Sequence, residues 1–355
     1  MSNPLDPANA RTAIENYTGL APGRRGPVRL VMGPWTHGQR SVTHAGAVDF
    51  GPAATLDGEL APDYVTLRRD WFDRQLRGGD VPDWLAAPVT LFVMGGGSGR
   101  SDAEGRLQHG GRWIRSTAWP PPQARSTSWY LHPDGQLARA TPRQRAERAW
   151  HFDPRDPVPT IGGAIASGAP LMTAGAFDQR ETAGLYGARQ PGRALAERAD
   201  VLVFQTAPLT TDVEVVGPVV ARLWVSTSAR DTDFTVKLVD VHPPSADWPQ
   251  GFAMNLTDGI LRLRFRDGFE TPRLAEPSEV YAIEIEAFPT ANRFLAGHRI
   301  RLDVSSSNFP HFDVNPNSGA PAGVTSELVV ATNRLHFGPE RPCELRLSLL
   351  PAGAP

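Results

Sequence analysis

The sequence contains very little cysteine or lysine, and it has no long hydrophobic run. Cys343 is the only cysteine, which excludes an intrachain disulfide and a metal cluster built from several cysteines. Lys237 is the only lysine among 36 basic residues, a bias that we attribute to high-GC coding. No apolar run approaches the roughly 18 residues of a membrane-spanning helix, and the N-terminus lacks the features of a signal peptide. We therefore expect a cytoplasmic protein with no membrane partner.

The chain also lacks an excess of charge of either sign. Lys and Arg number 36 against 38 Asp and Glu, which gives a formal net charge of −2. Because nucleic-acid-binding surfaces need clustered positive charge, we expect no nucleic-acid partner. Hydrophobic residues make up 40% of the chain and charged residues 21%, which is typical of a globular protein. With 355 residues, the chain is long enough for about two domains.

The most informative motif is Gly33-Pro34-Trp35-Thr36-His37-Gly38, which follows a short apolar run at 28–32. The run predicts a buried strand, and the motif predicts a loop that presents His37 after that strand. In α/β-hydrolases the catalytic residues follow the chain order Ser, Asp or Glu, then His, and the histidine is the last of the three. His37 is therefore the candidate general base, although a lone histidine is more often an ordinary loop or core residue.

The sequence pattern changes near residue 120. Before that point a strand at 28–32, an amphipathic helix at 63–76 and an apolar run at 89–94 are typical of an α/β layer. Trp119 and three prolines then predict a stiff connector. After it, short strands joined by Pro, Gly and Asp turns predict a β-sandwich or jelly roll. The further strand candidates lie at 129–131, 200–205, 213–226, 234–241, 260–266, 280–287, 298–305, 327–333 and 343–349.

Two segments after the connector carry more specific predictions. Residues 261–266 alternate leucine or phenylalanine with arginine, which predicts a strand with its arginines on a solvent face. Residues 161–199 have little apolar periodicity and predict a long loop.

Several other motifs follow the first in a fixed order and resemble one family, the CocE/NonD hydrolases, which include cocaine esterase and Xaa-Pro dipeptidyl-peptidase. The resemblance covers nearly the whole chain and is to the C-terminal part of these proteins. It implies the C-terminal part of an α/β-hydrolase domain over 1–120 and a jelly-roll β-sandwich over 121–355. The motifs are Trp71-Phe72-Asp73-Arg74, Leu91-Phe92-Val93-Met94-Gly95, Trp113 with Trp119-Pro120, Trp129-Tyr130-Leu131, residues 153–163, Asp231-Thr232-Asp233-Phe234, Lys237-Leu238-Val239-Asp240-Val241, and Asn308-Phe309-Pro310 with Asp313, Asn315 and Asn317.

The resemblance also implies a chemistry. CocE/NonD hydrolases cleave esters or acyl-proline-type amides by Ser–His–Asp acyl transfer, and His37 matches the catalytic histidine. Asp6 is the candidate acid, although Asn3-Pro4-Leu5 stands where the family has a Gly-Trp-Tyr-like motif. A small ester or peptide would be the substrate once an upstream segment completes the site.

A serine nucleophile is not recognisable in these residues. The nucleophile elbow needs Gly-x-Ser-x-Gly between a strand and a helix, which exposes the serine hydroxyl on a sharp turn. Ser98, in a glycine-rich stretch, is the serine whose surroundings most resemble this motif, but no helix pattern follows it. It also follows His37, where the family has a loop. We therefore expect that the chain lacks the segment that carries the nucleophile.

The sequence thus leaves open whether the chain is an enzyme. The alternative is a non-catalytic jelly-roll module that binds a ligand or packs on a partner, either a second copy or a complementing chain. We expect no cofactor and no metal, because His37 and His44 fix no ligand geometry on a loop. Asp231 and Asp233 could hold a cation, but turn carboxylates usually accept hydrogen bonds from backbone amides. Asp313, Asn315 and Asn317 are interpreted in the same way, as residues of a structural turn.

Overall fold

The computed structural model describes residues 7–20, 28–165, 168–169, 171–321 and 323–351, with only the backbone described for 7–10. This part of the chain is mostly β, with helices α1 (Pro7–Gly19) and α2 (Tyr64–Arg77). The strands are β1 (Leu30–Met32), β2 (His44–Ala45), β3 (Val48–Asp49), β4 (Val89–Met94), β5 (Leu107–Gln108), β6 (Gly111–Ser116), β7 (Arg125–Leu131), β8 (Leu137–Ala138), β9 (Ala146–Phe152), β10 (Leu202–Gln205), β11 (Val213–Thr227), β12 (Asp233–His242), β13 (Phe252–Arg262), β14 (Tyr281–Phe294), β15 (Arg299–Ser305), β16 (Ala331–Phe337) and β17 (Glu344–Leu350).

The strands form three sheets. The largest has ten strands in the order β1-β4-β14-β11-β17-β7-β8, with β6 on β4, β16 on β11, and β9 on β16. A second sheet has the order β10-β15-β12-β13, and a small third sheet has the order β2-β3-β5. Leu223 and Val225 of the first sheet share one hydrophobic core with Phe234 and Val236 of the second. The two larger sheets therefore pack against each other around a common core.

The segments before and after residue 120 contribute to the same sheet. Strand β1 pairs in parallel with β4, and β4 meets β14 in parallel at the pair Met94 and Asn292. The long strand β14 then pairs antiparallel with β11. The predicted domain boundary at residue 120 remains a prediction.

Helix α2 is confirmed where the sequence predicts it, and its ends follow from known caps. The side chain of Asp63 accepts a hydrogen bond from the amide of Thr66 at 2.7 Å, and Gly78 ends the helix with a φ of 70°. Leu67 is buried, as expected for the apolar face, but Leu76 is 78% exposed. The predicted apolar face was therefore wrong for Leu76. No helix in the described ranges is long and apolar enough to cross a membrane.

The predicted strand at 260–266 was wrong at both ends. Strand β13 begins at Phe252, and the residues after Arg262 form a 3₁₀ turn at Leu263–Phe265. The strand predicted at 327–333 is observed a few residues further along the chain, as β16 at Ala331–Phe337. The described residues of 161–199 contain one 3₁₀ turn and isolated bridges, which confirms the predicted loop there.

Candidate functional site

His37 lies on a turn that directly follows the carboxyl end of the parallel strand β1. The three residues of β1 are buried, and the chain then passes through Gly33 to Trp35. The ring of Trp35 is 4% exposed, and its Nε1 donates a hydrogen bond to the carbonyl oxygen of Ala54 at 2.6 Å. A Cβ atom at Gly33 would lie 2.5 Å from the Trp35 ring, so glycine permits this packing.

The anchored Trp35 leaves the next residues at the surface. The amide of Gln39 donates to the carbonyl oxygen of Thr36 at 3.0 Å, and Gly38 has a φ of 76°. His37 is exposed on this turn. Functional groups of α/β folds commonly lie at the carboxyl ends of parallel strands, and this is where the structure places His37.

The structure tests the other candidates for a catalytic triad, Asp6 and Ser98, only in part. Asp6 lies outside the residues that the structure describes, so its role stays a prediction. The Ser98 hydroxyl donates to Oε1 of Gln108 at 2.6 Å and accepts from the amide of Arg100 at 3.2 Å. No helix follows Ser98 before β5, so the strand–turn–helix geometry of a nucleophile elbow is not present there.

Asp231 and Asp233 are buried, and arginines are their main partners. Arg264 Nε lies 2.7 Å from Oδ2 of Asp231, and Arg262 Nε lies 2.9 Å from Oδ1 of Asp233. The Asn315 amide donates to both carboxylates, at 2.9 and 2.8 Å. Two of the three arginines predicted to face solvent, Arg262 and Arg264, are thus held by buried carboxylates. Because their charges are already compensated, these aspartates have a structural role.

Sequence reasoning missed a cluster of buried polar side chains around Asp240. His109, Asp240 and His242 each offer a possible metal-ligand atom, and these atoms all lie within 4.8 Å of one another. His109 follows β5, whereas the other two residues lie on the same face of β12. No spacing of residues in the sequence indicates this cluster, because only the folded sheets bring its distant segments together.

Comparison with known proteins agrees with the family resemblance. The X-Pro dipeptidyl-peptidase C-terminal non-catalytic domain matches residues 83–346. The cocaine esterase of Rhodococcus sp. (strain MB1 Bresler) is 38% identical over 335 residues, which are 91% of this chain and 51% of the esterase. The chain spans about half the length of the curated relatives it matches.

Two solved structures resemble almost the whole chain. An aminopeptidase from a marine sediment archaeon, Thaumarchaeota archaeon, has a TM-score of 0.77 at 26% identity. An α-amino acid ester hydrolase has a TM-score of 0.75 at 27% identity. Each match covers 98% of this chain and 54% of the other.

The chain belongs to the family of X-Pro dipeptidyl-peptidase C-terminal non-catalytic domains, which its match over most of its length establishes. The predicted resemblance to the C-terminal part of CocE/NonD hydrolases is confirmed.

Proposed function

We propose that this chain supplies the catalytic histidine and the C-terminal β-structure of a CocE/NonD serine hydrolase. The observation that carries the proposal is the exposure of His37 at the carboxyl end of β1. The serine nucleophile would come from sequence outside these 355 residues, because Ser98 has no elbow around it. Substrates would be small esters or acyl-proline-type amides, as the resemblance suggests.

The sheet topology supports the finer fold assignment. We propose that β1, β4 and the two helices belong to an α/β-hydrolase layer that ends near residue 120, and that the later strands form a jelly roll. Among the described residues, β1 pairs with β4 alone. Its other edge therefore has backbone groups that a further strand can pair with. A complementing segment with the nucleophile would extend the sheet at this edge.

The proposed chemistry gives His37 one task in each half of the reaction. Its imidazole takes the proton from the serine hydroxyl as that oxygen attacks the ester or amide carbonyl. The same ring then returns the proton to the leaving alcohol or amine, and it repeats the cycle with water. Asp6 would accept a hydrogen bond from the ring and fix its orientation.

A fluorophosphonate probe, which labels activated serines, tests this proposal. We would compare the chain alone with a hybrid in which the unmatched part of the Rhodococcus esterase precedes it. We expect labelling of the hybrid only, loss of that labelling in His37→Ala, and no loss in the matched control His44→Ala. Labelling of a serine in the chain alone, or labelling of the hybrid that His37→Ala leaves unchanged, would contradict the proposal.

A second function, a non-catalytic module that packs on a partner chain, is favoured by one observation. Val65, Phe72 and Leu76 of α2 are 76%, 51% and 78% exposed. Their spacing of seven and four residues places them on one face of the helix. We name Val65, Phe72 and Leu76 the α2 stripe. In this second function, a second copy of the chain would cover the α2 stripe.

A further inference from the structure

The buried cluster around Asp240 borders a cavity of about 120 Å³. The rings of His109, His242 and His298 line this cavity, together with the glycine-rich loop at 96–99. A cavity of this size has room for several water molecules. The site therefore combines buried imidazoles with space for a small ligand beside them.

The glycine loop fixes the position of His109. The amide of Gly97 donates to the carbonyl oxygen of His109 at 2.7 Å. A Cβ atom at Gly97 would lie 2.5 Å from the carbonyl carbon of His109, so a larger residue would push the two segments apart. His109 itself is 2% exposed. The backbone of His109 is thus fixed by the loop, and its ring is buried at the cavity wall.

Asp240 lies at the centre of the cluster and is oriented by two neighbours. Its Oδ1 lies 2.8 Å from Nδ1 of His298, and its Oδ2 accepts a hydrogen bond from Nδ2 of Asn292 at 3.1 Å. Because a carboxylate only accepts, Asn292 turns its amide nitrogen to Asp240 and its oxygen to His109. That oxygen lies 2.8 Å from Nε2 of His109, so this nitrogen carries the proton.

The arrangement leaves His109 with a lone pair on its Nδ1. Metal-binding histidines characteristically donate their other ring N–H to a carbonyl or carboxylate oxygen, which fixes the tautomer. Asn292 provides such an oxygen for His109. The second imidazole, His242, is 6% exposed, and its Nε2 has no hydrogen-bond partner within the part of the chain that the structure describes. It lies 3.8 Å from Oδ2 of Asp240.

The separation of the candidate ligand atoms can be compared with the separation that a zinc ion requires. In a tetrahedral zinc site, neighbouring ligand atoms are about 3.4 Å apart, given metal–ligand distances of about 2.0–2.2 Å. The 3.8 Å separation of His242 and Asp240 needs a small contraction, and the set of three ligand atoms, which lie within 4.8 Å of one another, would close around the ion.

We propose that His109, His242 and Asp240 bind a divalent first-row transition-metal ion such as Zn²⁺. Two imidazoles and one carboxylate favour such an ion over Mg²⁺ or Ca²⁺, which take oxygen ligands. Three protein ligands leave a coordination position that opens onto the cavity, where water can complete the site. His298 and Asn292 act as positioning residues, because they hold the ligands rather than the ion.

Isothermal titration of the full chain with Zn²⁺, after removal of metal by a chelator, tests this site. We expect one tight equivalent per chain and a visible absorption spectrum of four-coordinate Co²⁺ when cobalt replaces zinc. His242→Gln should remove the tight equivalent, and the positioning variant His298→Gln should weaken it by about 10–100-fold. The control His151→Gln changes an exposed ring and should leave binding unchanged.

Several outcomes would overturn the proposal. They are the absence of a stoichiometric equivalent in the unmodified chain, and binding by a folded His242→Gln variant with unchanged affinity. Near-ultraviolet circular dichroism shows whether that variant is folded. If the His242→Gln variant is unfolded, anomalous diffraction at the zinc edge from crystals of the unmodified chain tests the site instead. A peak between His109, Asp240 and His242 supports the site, and no peak at this position overturns it.

Discussion

Nδ1 of His298 lies 2.8 Å from Oδ1 of Asp240, and both side chains are buried between the two larger sheets. Burial alone would raise the pKa of Asp240. The hydrogen bond from His298 and the nearby imidazoles outweigh burial, and the pKa of the carboxyl lies below its usual value. The buried carboxylate thus depends on its hydrogen-bond donors, of which His298 is the closer.

This dependence predicts the effect of removing the histidine. His298→Ala should lower the free energy of unfolding by about 2–3 kcal/mol, because it leaves one oxygen of a charged, buried carboxylate without its donor. His151→Ala changes an exposed ring and should alter stability by no more than about 0.5 kcal/mol. Urea denaturation of metal-free protein measures both values. Equal stabilities of the two variants would contradict the dependence.

The pair Asp231–Arg264 should be more important for stability than any exposed ion pair. The two side chains are 0% and 12% exposed, so Asp231→Ala leaves a nearly buried guanidinium without its counter-charge. We expect a loss of about 3–5 kcal/mol. Glu15→Ala, which breaks the exposed pair with Arg11, should cost about 0.3–0.5 kcal/mol. Chemical denaturation would refute this expectation if it gave similar losses.

Cys343 should be inert in the folded chain. Its thiol is 0% exposed, and burial raises its pKa to about 12. The Sγ atom accepts from the amide of Trp224 at 3.2 Å and donates to the carbonyl oxygen of His336 at 3.3 Å. We expect no reaction with Ellman's reagent at pH 8 and one reactive thiol after unfolding. Rapid reaction of the native protein would show that this part of the core is open.

The α2 stripe should drive association without stabilising the fold. Replacing Phe72 and Leu76 by glutamate removes apolar groups that lie at the surface. We expect an unchanged unfolding midpoint and a smaller sedimentation coefficient at high concentration, because the unmodified stripe associates. A chain that is strictly monomeric with the stripe intact would argue against a docking role. The exposed control Phe269→Glu, at 81% exposure, should not change association.

The sequence was sufficient to locate strands whose faces alternate. Strand β11 is predicted at 213–226 and is observed at Val213–Thr227. Its alternation is visible in the sequence because one face of the strand packs in the core shared by the sheets. Strand β13 was largely missed. Its residues Asn255, Thr257 and Asp258 are buried although they are polar, so the strand shows no apolar alternation.

The polar residues of β13 are buried because the long loop at 161–199 lies against this strand. Part of this loop covers the outer side of β13, where Asn255 Oδ1 accepts from the amide of Phe177 at 2.7 Å. A strand covered on both sides can bury polar groups as long as they are paired. The same limit applies to Arg262 and Arg264, whose aspartate partners precede or begin the neighbouring strand β12. Local alternation cannot distinguish such an arginine from one in water.

The candidate site, like the fold, was predictable from the sequence only in part. The motif around His37 predicted a loop that presents the histidine after a strand, and His37 is exposed on a turn after β1. The cluster of His109, Asp240 and His242 was not predictable, because no local spacing joins residues that three-dimensional strand pairing brings together. Catalytic roles for His37 and Asp6 remain predictions.

The rate of serine acylation in the hybrid hydrolase tests the central claim most directly. Stopped-flow measurement of the nitrophenol burst from a p-nitrophenyl ester would report this single step. We predict that His37→Ala lowers the acylation rate by about 10⁴-fold or more, because the serine then has no base. His44→Ala should leave the rate within about two-fold, as expected for a residue outside the reaction. An acylation rate that is the same with and without the His37 imidazole would contradict the account.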